Sequence, residues 1–367
     1  MKIIKHGFIT PKMSGKFKYN AWPSVISLSD GTILAAWSGD RLKHICPFGK
    51  VMASRSTDGG YTWSAPYCIQ DTPLDDRDAG LLQVGGRILL TSVTNHKEFQ
   101  RKYNEQGGGN LETKPSLHLP DSPEQKAFVS AYIDLITDEE EKRYLGPTIA
   151  VSDDNGNTFS EPTHLPLTSP HGPTLLRDGR ILHIGTFSSM HPEVYQRGIF
   201  VEELDINGHP QGEPTLVAKA PTDEGEWCEP HLCQMPNGDL LAAIRYKNGD
   251  LHDVYLCRST DGGKTFTKAK AQNWDGFPPH IFVTSKGAVI ISYSHRHKPE
   301  RGIRARVSYD NGNSFGEEII LRNDGLDWDL GYPTTTENEK GELVTVYYMK
   351  DTEGKNENRI QYTIWKL

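Results

Sequence analysis

A short pattern recurs four times along the chain and limits the folds that the chain can adopt. Its first copy is SRSTDGGYTW, ending at Trp63, and the four copies have their aspartates at Asp58, Asp154, Asp261 and Asp310. Such a run is typical of a tight hairpin turn, because the aspartate caps the turn and a glycine accepts a positive φ. One copy would indicate only a hairpin, whereas four copies indicate a repeat architecture.

A second repeat gives the number of units. Each unit begins with a strand, a turn and another strand, and six such segments begin at Trp22, Ala79, Gly172, Glu229, Pro278 and Gly331. Asp261 and Asp310 are 49 residues apart, which is the length of one four-stranded propeller blade. Helical periodicity is nearly absent, while 35 glycines and 23 prolines suit a chain rich in turns. The sequence therefore predicts an all-β fold, a six-bladed β-propeller, as a single domain over residues 1–367.

Two segments depart from this repeat. Residues 1–10 contain a lone strand, and the last blade shows only three strand-like runs, so we predict that the N-terminal strand completes the last blade. Residues from about 96 to 144 form an insertion in the second blade, in which Ser122-Pro123-Glu124 begins a predicted helix. Such an insertion forms either a wall over the binding face or a dimer contact, and the sequence favours neither.

Composition excludes several classes of partner. The net charge of −8 and the absence of basic runs argue against binding to nucleic acid or to an anionic membrane. No apolar run reaches membrane-spanning length and the N-terminus lacks a signal-peptide core, so a cytoplasmic protein is expected. The five cysteines have no metal-ligand spacing. We therefore predict no metal site and no cofactor.

Candidate functional residues concentrate where the innermost strands of the blades begin. In a propeller these strands line a central channel, and the loops before them surround the pocket. This position carries Asp78, His171, Glu229, His231, His280 and Tyr332. Each residue alone is more often structural than functional, but their convergence at one end of the fold predicts a binding or catalytic site. Three histidines can also hold a metal ion, although spacing across three blades does not establish the geometry.

The repeated turns and the six-blade count resemble the sialidases (neuraminidases) of the BNR-repeat class over essentially the whole chain. The resemblance implies a glycosidase that acts on a glycan or oligosaccharide ending in an acidic sugar. Members of this class carry a glutamate on the first strand of a middle blade and an arginine at the end of the next strand, which Glu229 and Arg245 match. They also carry a nucleophilic tyrosine at the start of the last blade, which Tyr332 in GYPTTT matches. The implied role of Glu229 is to remove the proton of Tyr332.

A tyrosine nucleophile suits a substrate like sialic acid on chemical grounds. The anomeric carbon of that sugar carries a carboxylate, which repels a carboxylate nucleophile but not a neutral phenol beside a base. The substrate carboxylate requires fixed cations, and a planar guanidinium binds it through two parallel hydrogen bonds. The resemblance implies three arginines for this purpose.

Three positions implied by the resemblance are not clearly matched. Ala21 stands where the first arginine should be, and Arg41 is the candidate to supply the missing guanidinium. The acid/base aspartate should lie in the loop SGDRLKHICPF, where Asp40 and His44 are the candidates. The third arginine should lie in the loop HRHKPERGIRA, where the candidates are Arg296, Arg301 and Arg304.

Two other functions remain open, because the repeated turns also occur in propellers that are not sialidases. A polysaccharide lyase or unusual glycosidase for uronic acids would neutralise the substrate carboxylate with arginine and remove the C5 proton with histidine or tyrosine. A lyase would also produce an unsaturated ring with new ultraviolet absorbance. A non-catalytic carbohydrate-binding propeller would present stacking aromatic residues without a nucleophile–base pair. The candidates for stacking are Trp22, Trp227, Trp274 and Trp328.

Overall fold

The computed structural model of the chain describes residues 1–106, 122–188, 197–219, 225–350 and 357–367. The first half contains the strands β1 Lys2–Phe8, β2 Tyr19–Ser27, β3 Ile33–Arg41, β4 Lys50–Ser56, β5 Tyr67–Gln70, β6 Arg77–Val84, β7 Arg87–Thr94, β8 Gly146–Ser152, β9 Thr163–His164, β10 Leu167–Thr168, β11 Thr174–Leu175 and β12 Ile181–Phe187. The second half contains β13 Ile199–Leu204, β14 Thr215–Ala218, β15 Glu226–Gln234, β16 Leu240–Asn248, β17 Leu251–Ser259, β18 Lys270–Ala271, β19 His280–Val283, β20 Val289–His295, β21 Gly302–Ser308, β22 Ile319–Arg322, β23 Gly331–Glu337, β24 Leu343–Lys350 and β25 Asn358–Lys366.

The strands form five sheets in a propeller arrangement, which confirms the prediction of an all-β fold. Three sheets have four strands each, in the orders β6-β7-β8-β9, β15-β16-β17-β18 and β19-β20-β21-β22. A fourth sheet has five strands, because its innermost strand is divided into β10 and β11, which both pair with β12. The fifth sheet has eight strands in the order β23-β24-β25-β2-β3-β4-β5, with β1 also paired to β25.

The innermost strands surround a central channel. Strands β2, β6, β11, β15, β19 and β23 contact one another in this order, and β23 contacts β2 to close the ring. Apolar side chains fill the spaces between neighbouring sheets; for example, Leu182 and Ile184 of β12 belong to the same buried cluster as Leu232 of β15. The beginnings of the innermost strands therefore meet at one end of the channel and their ends meet at the other.

The eight-stranded sheet consists of two four-stranded parts. A single parallel residue pair, Tyr19 with Asn358, joins β2 to β25. Strand β1 pairs antiparallel with β25 and forms the outer edge of the part that begins with β23. This is the pairing that the sequence predicts for the N-terminal strand, and it covers an edge of β25 that would otherwise be open.

Each repeated turn lies between the third and fourth strands of a four-stranded unit, away from the channel. In the first turn, Asp58 accepts hydrogen bonds from Oγ of Ser56 at 2.8 Å and from the backbone N–H groups of Tyr61 and Thr62 at 3.0 and 2.9 Å. The same bonds recur at Asp154, Asp261 and Asp310. Partial burial raises the pKa of Asp58, but these hydrogen bonds outweigh that effect and lower its pKa to about 2. The turns are therefore structural elements.

The insertion is helical where the structure describes it, with α1 Lys97–Glu105, α2 Pro123–Leu135 and α3 Asp138–Tyr144. Helix α2 begins as predicted, since Oγ of Ser122 accepts a hydrogen bond from the N–H of Gln125 at 3.2 Å. Helix α3 begins with a capping box between Thr137 and Glu140, a signal that the sequence analysis did not use. No helix in the described ranges is long and apolar enough to cross a membrane.

Candidate active site

Four residues at the channel occupy the same kind of irregular position on four innermost strands. Their φ angles lie between 48° and 55°, and they are Trp22, Asp78, Glu229 and Tyr332. Around each of them the pairing of the innermost strand with its neighbour is interrupted. A bulge of this kind redirects a side chain out of the regular alternation, and a residue other than glycine stays at positive φ only when its surroundings hold it there. The bulges therefore direct four different side chains toward one end of the channel.

Two of these residues form a hydrogen-bonded pair. The hydroxyl of Tyr332 donates a hydrogen bond to Oε1 of Glu229, and Nη1 of Arg245 donates one to Oε2 of the same carboxylate at 2.5 Å. Burial, followed by the charge of Glu229, raises the pKa of Tyr332 well above its usual value, so the phenol is neutral. The structure thus brings together the predicted tyrosine, glutamate and arginine. Such a pair joins a neutral phenol to a carboxylate that can accept its proton.

Tyr332 lines a cavity of about 410 Å³ that is rich in positive charge. Its lining includes five cationic side chains, Arg245, Lys247, Arg296, Lys298 and Arg301. Among the described residues that line it there is no aspartate or glutamate. Because the whole chain has a net charge of −8, this positive charge is a local feature of the cavity. A cleft lined by charge of one sign concentrates ligands of the opposite sign, so the basic cavity is suited to an anion.

Arg296 is a buried arginine of the basic cavity whose guanidinium has open hydrogen-bonding capacity. Its side chain is 8% exposed, and in the described part of the chain its Nε and Nη2 have no hydrogen-bond partner. Its Cζ lies 5.1 Å from the ring centre of Phe277 and 5.7 Å from that of Tyr332. Cζ of Arg245 lies 3.9 Å from the same Phe277 ring. Buried N–H groups without partners are costly, and a carboxylate would satisfy them.

His44 lines the same cavity, on the loop that the sequence predicts to carry the acid/base group. Its Nδ1 lies 2.7 Å from the hydroxyl of Tyr19 and 3.5 Å from Oδ1 of Asp329. The Asp329 carboxylate also accepts hydrogen bonds from Tyr19 at 2.9 Å and Tyr348 at 2.7 Å. Burial lowers the pKa of His44, and Asp329 partly opposes this effect. Asp40, the other predicted acid/base candidate, is not among the residues that line the cavity.

The helical insertion contacts the loop that carries His44. Nζ of Lys43 donates a hydrogen bond to Oδ1 of Asn104 in α1 at 3.2 Å. The ring centre of Phe48 lies 5.1 Å from that of Phe128 and 4.6 Å from that of Tyr132, both in α2. These contacts place the insertion beside the loop that carries His44, while its role as a wall over the binding face or as a dimer contact stays a prediction.

Two of the arginines predicted to bind substrate are structural instead. Arg41 is 0% exposed, and its Nη2 lies 2.5 Å from Oδ1 of Asp75. Arg304 is 1% exposed and donates hydrogen bonds to Oε1 of Glu318 at 3.1 Å and to the carbonyl of Glu300 at 2.5 Å. Neither arginine lines the basic cavity. Their predicted role is therefore wrong, because internal carboxylates and carbonyls bind both guanidinium groups.

The three predicted histidines lie together, but at the other end of the channel. The ring centres of His231 and His280 are 4.3 Å apart, and that of His171 is 5.4 Å from each. They line a separate cavity of about 310 Å³ between the later parts of the innermost strands. Burial lowers the pKa of all three histidines, that of His231 to about 3. The prediction that they bind substrate beside Tyr332 is therefore wrong.

Asp78 lies next to the Tyr332–Glu229 pair and not in the lining of the basic cavity. Burial raises its pKa to about 6, although the charge of Arg77 opposes this effect. Its negative charge contributes in turn to the raised pKa of Tyr332. The structure thus places Asp78 beside the pair and outside the cavity lining, and its role in substrate binding stays a prediction.

Several residues of the cavity were missed by the sequence analysis. They are Lys247, His252, Phe277, His297 and Lys298, whereas Trp328, which also lines the cavity, was named among the stacking candidates. Two sequence signals could have identified some of them. His297 and Lys298 belong to the run HRHKPER, in which the resemblance implies only an arginine. Lys247 follows Arg245 by two positions on β16, and alternate residues of a strand share one face.

Comparisons with known proteins agree with this architecture. A model of the family described as BNR repeat-like domain matches residues 126–345. A comparison with curated protein sequences found no significant match. Among solved structures, the chain is similar to a protein of unknown function from Dyadobacter fermentans, with a TM-score of 0.75, 23% identity and coverage of 100% of this chain and 99% of that chain.

Two enzymes are also similar in structure. One is the intramolecular trans-sialidase from Ruminococcus gnavus in complex with oseltamivir carboxylate, with a TM-score of 0.63, 17% identity and coverage of 96% of this chain and 95% of that chain. The other is an alpha-L-arabinanase from Penicillium chrysogenum complexed with arabinobiose, with a TM-score of 0.61, 15% identity and coverage of 100% and 99%. Because the sequence identities are low, the structural similarity shows a shared fold and does not establish a shared activity.

Proposed function

The chain belongs to the family of BNR repeat-like domains, and we propose that it is a glycosidase that removes a terminal acidic sugar, similar to sialic acid, from a glycan. The observation that carries this proposal is the Tyr332–Glu229 hydrogen bond beside a cavity lined by five cationic side chains. The phenol–carboxylate pair suits an anomeric carbon that bears its own carboxylate, and the cations suit that carboxylate. The similarity in fold to a trans-sialidase supports the proposal.

We also count the eight-stranded sheet as two blades, because only the Tyr19–Asn358 pair joins its two parts. This count gives six blades, and the closed ring of six innermost strands supports it. Glu229 then belongs to the fourth blade and Tyr332 to the sixth, so the proposed catalytic pair forms across the channel.

In the first step of the proposed reaction, the phenolic oxygen of Tyr332 attacks the anomeric carbon while Glu229 accepts the phenolic proton. The glycosidic C–O bond breaks, and protonated His44 gives its proton to the oxygen of the leaving group. Because burial lowers the pKa of His44, its protonated form is a stronger acid than an exposed imidazolium. Arg245 and Arg296 bind the substrate carboxylate, and Arg301 lines the same cavity beside them.

In the second step, a water molecule attacks the anomeric carbon and His44 accepts the proton of that water. The bond from the sugar to Tyr332 breaks, and Glu229 returns its proton to the phenolate. Two successive displacements retain the configuration at the anomeric carbon. His44 and Glu229 thus both return to their initial protonation states.

A panel of fluorogenic substrates tests this proposal. The 4-methylumbelliferyl glycosides of sialic acid, glucuronic acid and arabinose are incubated with the wild-type protein and with Tyr332→Phe. The wild type should release fluorescence from the sialoside most rapidly and none from the neutral arabinoside, while the variant should release almost none. Release from the arabinoside alone would contradict an acidic substrate.

A uronate lyase is the second candidate, and the specific observations that favour it are Ala21 in place of an arginine and His44 in the cavity. Elimination would need Arg245 or Arg296 to neutralise the uronate carboxylate and His44 or Tyr332 to remove the C5 proton. Incubation with a uronate-containing oligosaccharide distinguishes the two reactions. New ultraviolet absorbance from an unsaturated ring would favour the lyase, whereas hydrolysis produces none.

A further inference from the structure

We propose that His252, Asp275 and His297 form a binding site for a divalent transition-metal ion, represented by Zn²⁺, at the edge of the basic cavity. One possible ligand atom from each residue lies within 4.8 Å of the other two. In a tetrahedral site, nitrogen and oxygen ligands stand about 2.0–2.2 Å from zinc, so two ligands of one ion are about 3.3–3.6 Å apart. Only a small inward movement of the side chains would therefore bring the three residues to coordination distance.

Three separate elements of the chain bring these ligands together. His252 is buried on β17, and its ring centre lies 4.0 Å from that of Phe277. His297 follows β20, and its ring centre lies 4.6 Å from that of His252. Nδ1 of His297 lies 2.8 Å from Oδ2 of Asp275, which belongs to the segment between β18 and β19. The cluster is therefore a product of the tertiary structure and not of one flexible loop.

The segment that carries Asp275 is anchored on both sides. The N–H of Trp274 donates a hydrogen bond to Oδ1 of Asp253 at 2.9 Å, and the N–H of Phe277 donates one to the carbonyl of Ser294 at 3.0 Å. Nδ1 of His295 lies 3.0 Å from the carbonyl oxygen of Asp275 and 3.4 Å from its Oδ2. His295 is thus placed to orient the carboxylate as an outer partner, a feature that metal sites commonly have.

The donor set favours a particular class of ion. Two imidazoles and one carboxylate suit zinc, cobalt or nickel, whereas magnesium and calcium prefer oxygen ligands. Lys298 lines the same cavity and would repel any cation, so only an ion that the two imidazoles bind strongly is expected there, and a weakly bound Mg²⁺ is not. With three protein ligands, a zinc ion keeps a further position for water or for an oxygen of a sugar. Since His252 and His297 line the cavity of Tyr332, that position would be open to the proposed substrate.

Isothermal titration of the protein with ZnCl₂ tests this site directly. The wild type should bind one equivalent, and Asp275→Ala and His297→Ala should each weaken binding by at least about 100-fold, since even loss of an outer partner costs about 10–100-fold. His295→Ala should weaken binding by about tenfold. The matched control is His209→Ala, because Nδ1 of exposed His209 lies 3.3 Å from Asp205 and so offers a similar histidine–carboxylate pair elsewhere on the surface. This control should bind zinc like the wild type.

The replaced side chains of His297 and Asp275 are partly exposed, with relative exposures of 34% and 44%, so these variants are expected to fold. Thermal denaturation checks this, and the visible absorption spectrum of Co²⁺ bound to the wild type provides a measurement that does not depend on variants. Absence of saturable zinc binding by the wild type, or wild-type affinity in a folded His297→Ala variant, would overturn the proposal. Zinc binding is measured without substrate, and Tyr332→Phe should retain it, so this test is separate from the test of the glycosidase proposal.

Discussion

The repeated turns and the bulges of the innermost strands both recur from unit to unit, but their physical environments are opposite. Each turn lies away from the channel, and hydrogen bonds from its own residues lower the pKa of Asp58 to about 2 despite partial burial. The bulges lie at the channel, where burial raises the pKa of Asp78 to about 6 and that of Tyr332 well above its usual value. A carboxylate is therefore well solvated by its surroundings in one region and poorly solvated in the other.

This contrast indicates which residues should determine stability and which should determine activity. The turns repeat one set of side chains because each of them makes the same hydrogen bonds. The bulges carry different side chains, Trp22, Asp78, Glu229 and Tyr332, because each contributes a different group to one site. Mutations in a turn should therefore change the free energy of unfolding without changing turnover, whereas mutations at a bulge should change turnover or the pH dependence of stability.

The largest expected effect is that of Tyr332→Phe, which removes the proposed nucleophile and little volume. Turnover should fall by roughly 10³-fold or more, while the melting temperature should hardly change. Glu229→Gln should cause a similar loss, and the double variant should be little worse than either single variant because the two residues act as a unit. Steady-state kinetics with a fluorogenic sialoside and thermal denaturation measure both quantities. Normal turnover by Tyr332→Phe would exclude the proposed mechanism.

The second-largest effect is expected at Arg296, and Arg304 provides the comparison. Arg296→Lys keeps the positive charge but loses the planar fork, so KM for an acidic substrate should rise roughly ten- to a hundredfold, as expected for lost charge-assisted bonds worth about 1.5–3 kcal/mol. Arg304→Lys is the matched control, because its guanidinium binds Glu318 and backbone carbonyls. It should lower the melting temperature and leave KM unchanged. The reverse pattern would show that Arg296 is structural.

A smaller effect concerns Asp78 and pH. Its pKa of about 6 in the folded protein is above the value of about 3.9 in an unfolded chain, so the folded state holds its proton more firmly. The contribution of Asp78 to stability is therefore fully present at low pH and is lost as the pH rises through about 4 to 6. Asp78→Asn replaces the carboxyl group by an amide that does not ionise, so the variant does not lose this stability as the pH rises. Urea denaturation should show the variant to be more stable than the wild type at about pH 8, with a smaller difference at about pH 5. An equal difference at both pH values would contradict the raised pKa.

The smallest expected effect is that of Asp58→Ala, in the first repeated turn. Loss of the hydrogen bonds that Asp58 accepts should reduce the free energy of unfolding by about 1 kcal/mol, while activity per folded molecule should not change. Asp153→Ala is a suitable control, since Asp153 is exposed, forms an ion pair with Arg87 and does not cap a turn. Chemical denaturation and kinetics measure the two quantities. A well-folded but inactive Asp58→Ala variant would mean that the turns have a function beyond structure.

The parts of the molecule that sequence predicted are those governed by local rules. Aspartate–glycine spacing identified the turns and the unit length. Position at the start of an innermost strand indicated that Tyr332 and Glu229 converge at the channel, and the resemblance to the BNR-repeat sialidases implied that they act as a pair. The direction of a side chain in a loop follows no such rule. Arg41 ends β3 and His44 follows it by three positions, yet Arg41 points into the protein toward Asp75 while His44 lines the cavity.

The bulge on β15 explains why the sequence grouped His231 with Glu229. Regular alternation along a strand does not reveal where pairing is interrupted, so the sequence could not separate the side chain at the bulge from the histidine that follows it on the same strand. His231 follows Glu229 by two positions on β15, and the strand pairing is irregular between Cys228 and His231. Because of this bulge, the side chains of Glu229 and His231 lie toward different ends of the channel. The cluster of His252, Asp275 and His297 was missed for a related reason, since its members come from three elements and form no sequence motif.

The shared bulge has an evolutionary consequence. If the units arose by duplication of one ancestral segment, each copy inherited the same backbone position that directs a side chain toward the channel. A codon change there alters the chemistry of the site without altering the strand pairings that hold the ring together. Positions such as that of Trp22 are therefore where descendants of one propeller can diverge in activity while keeping a common scaffold.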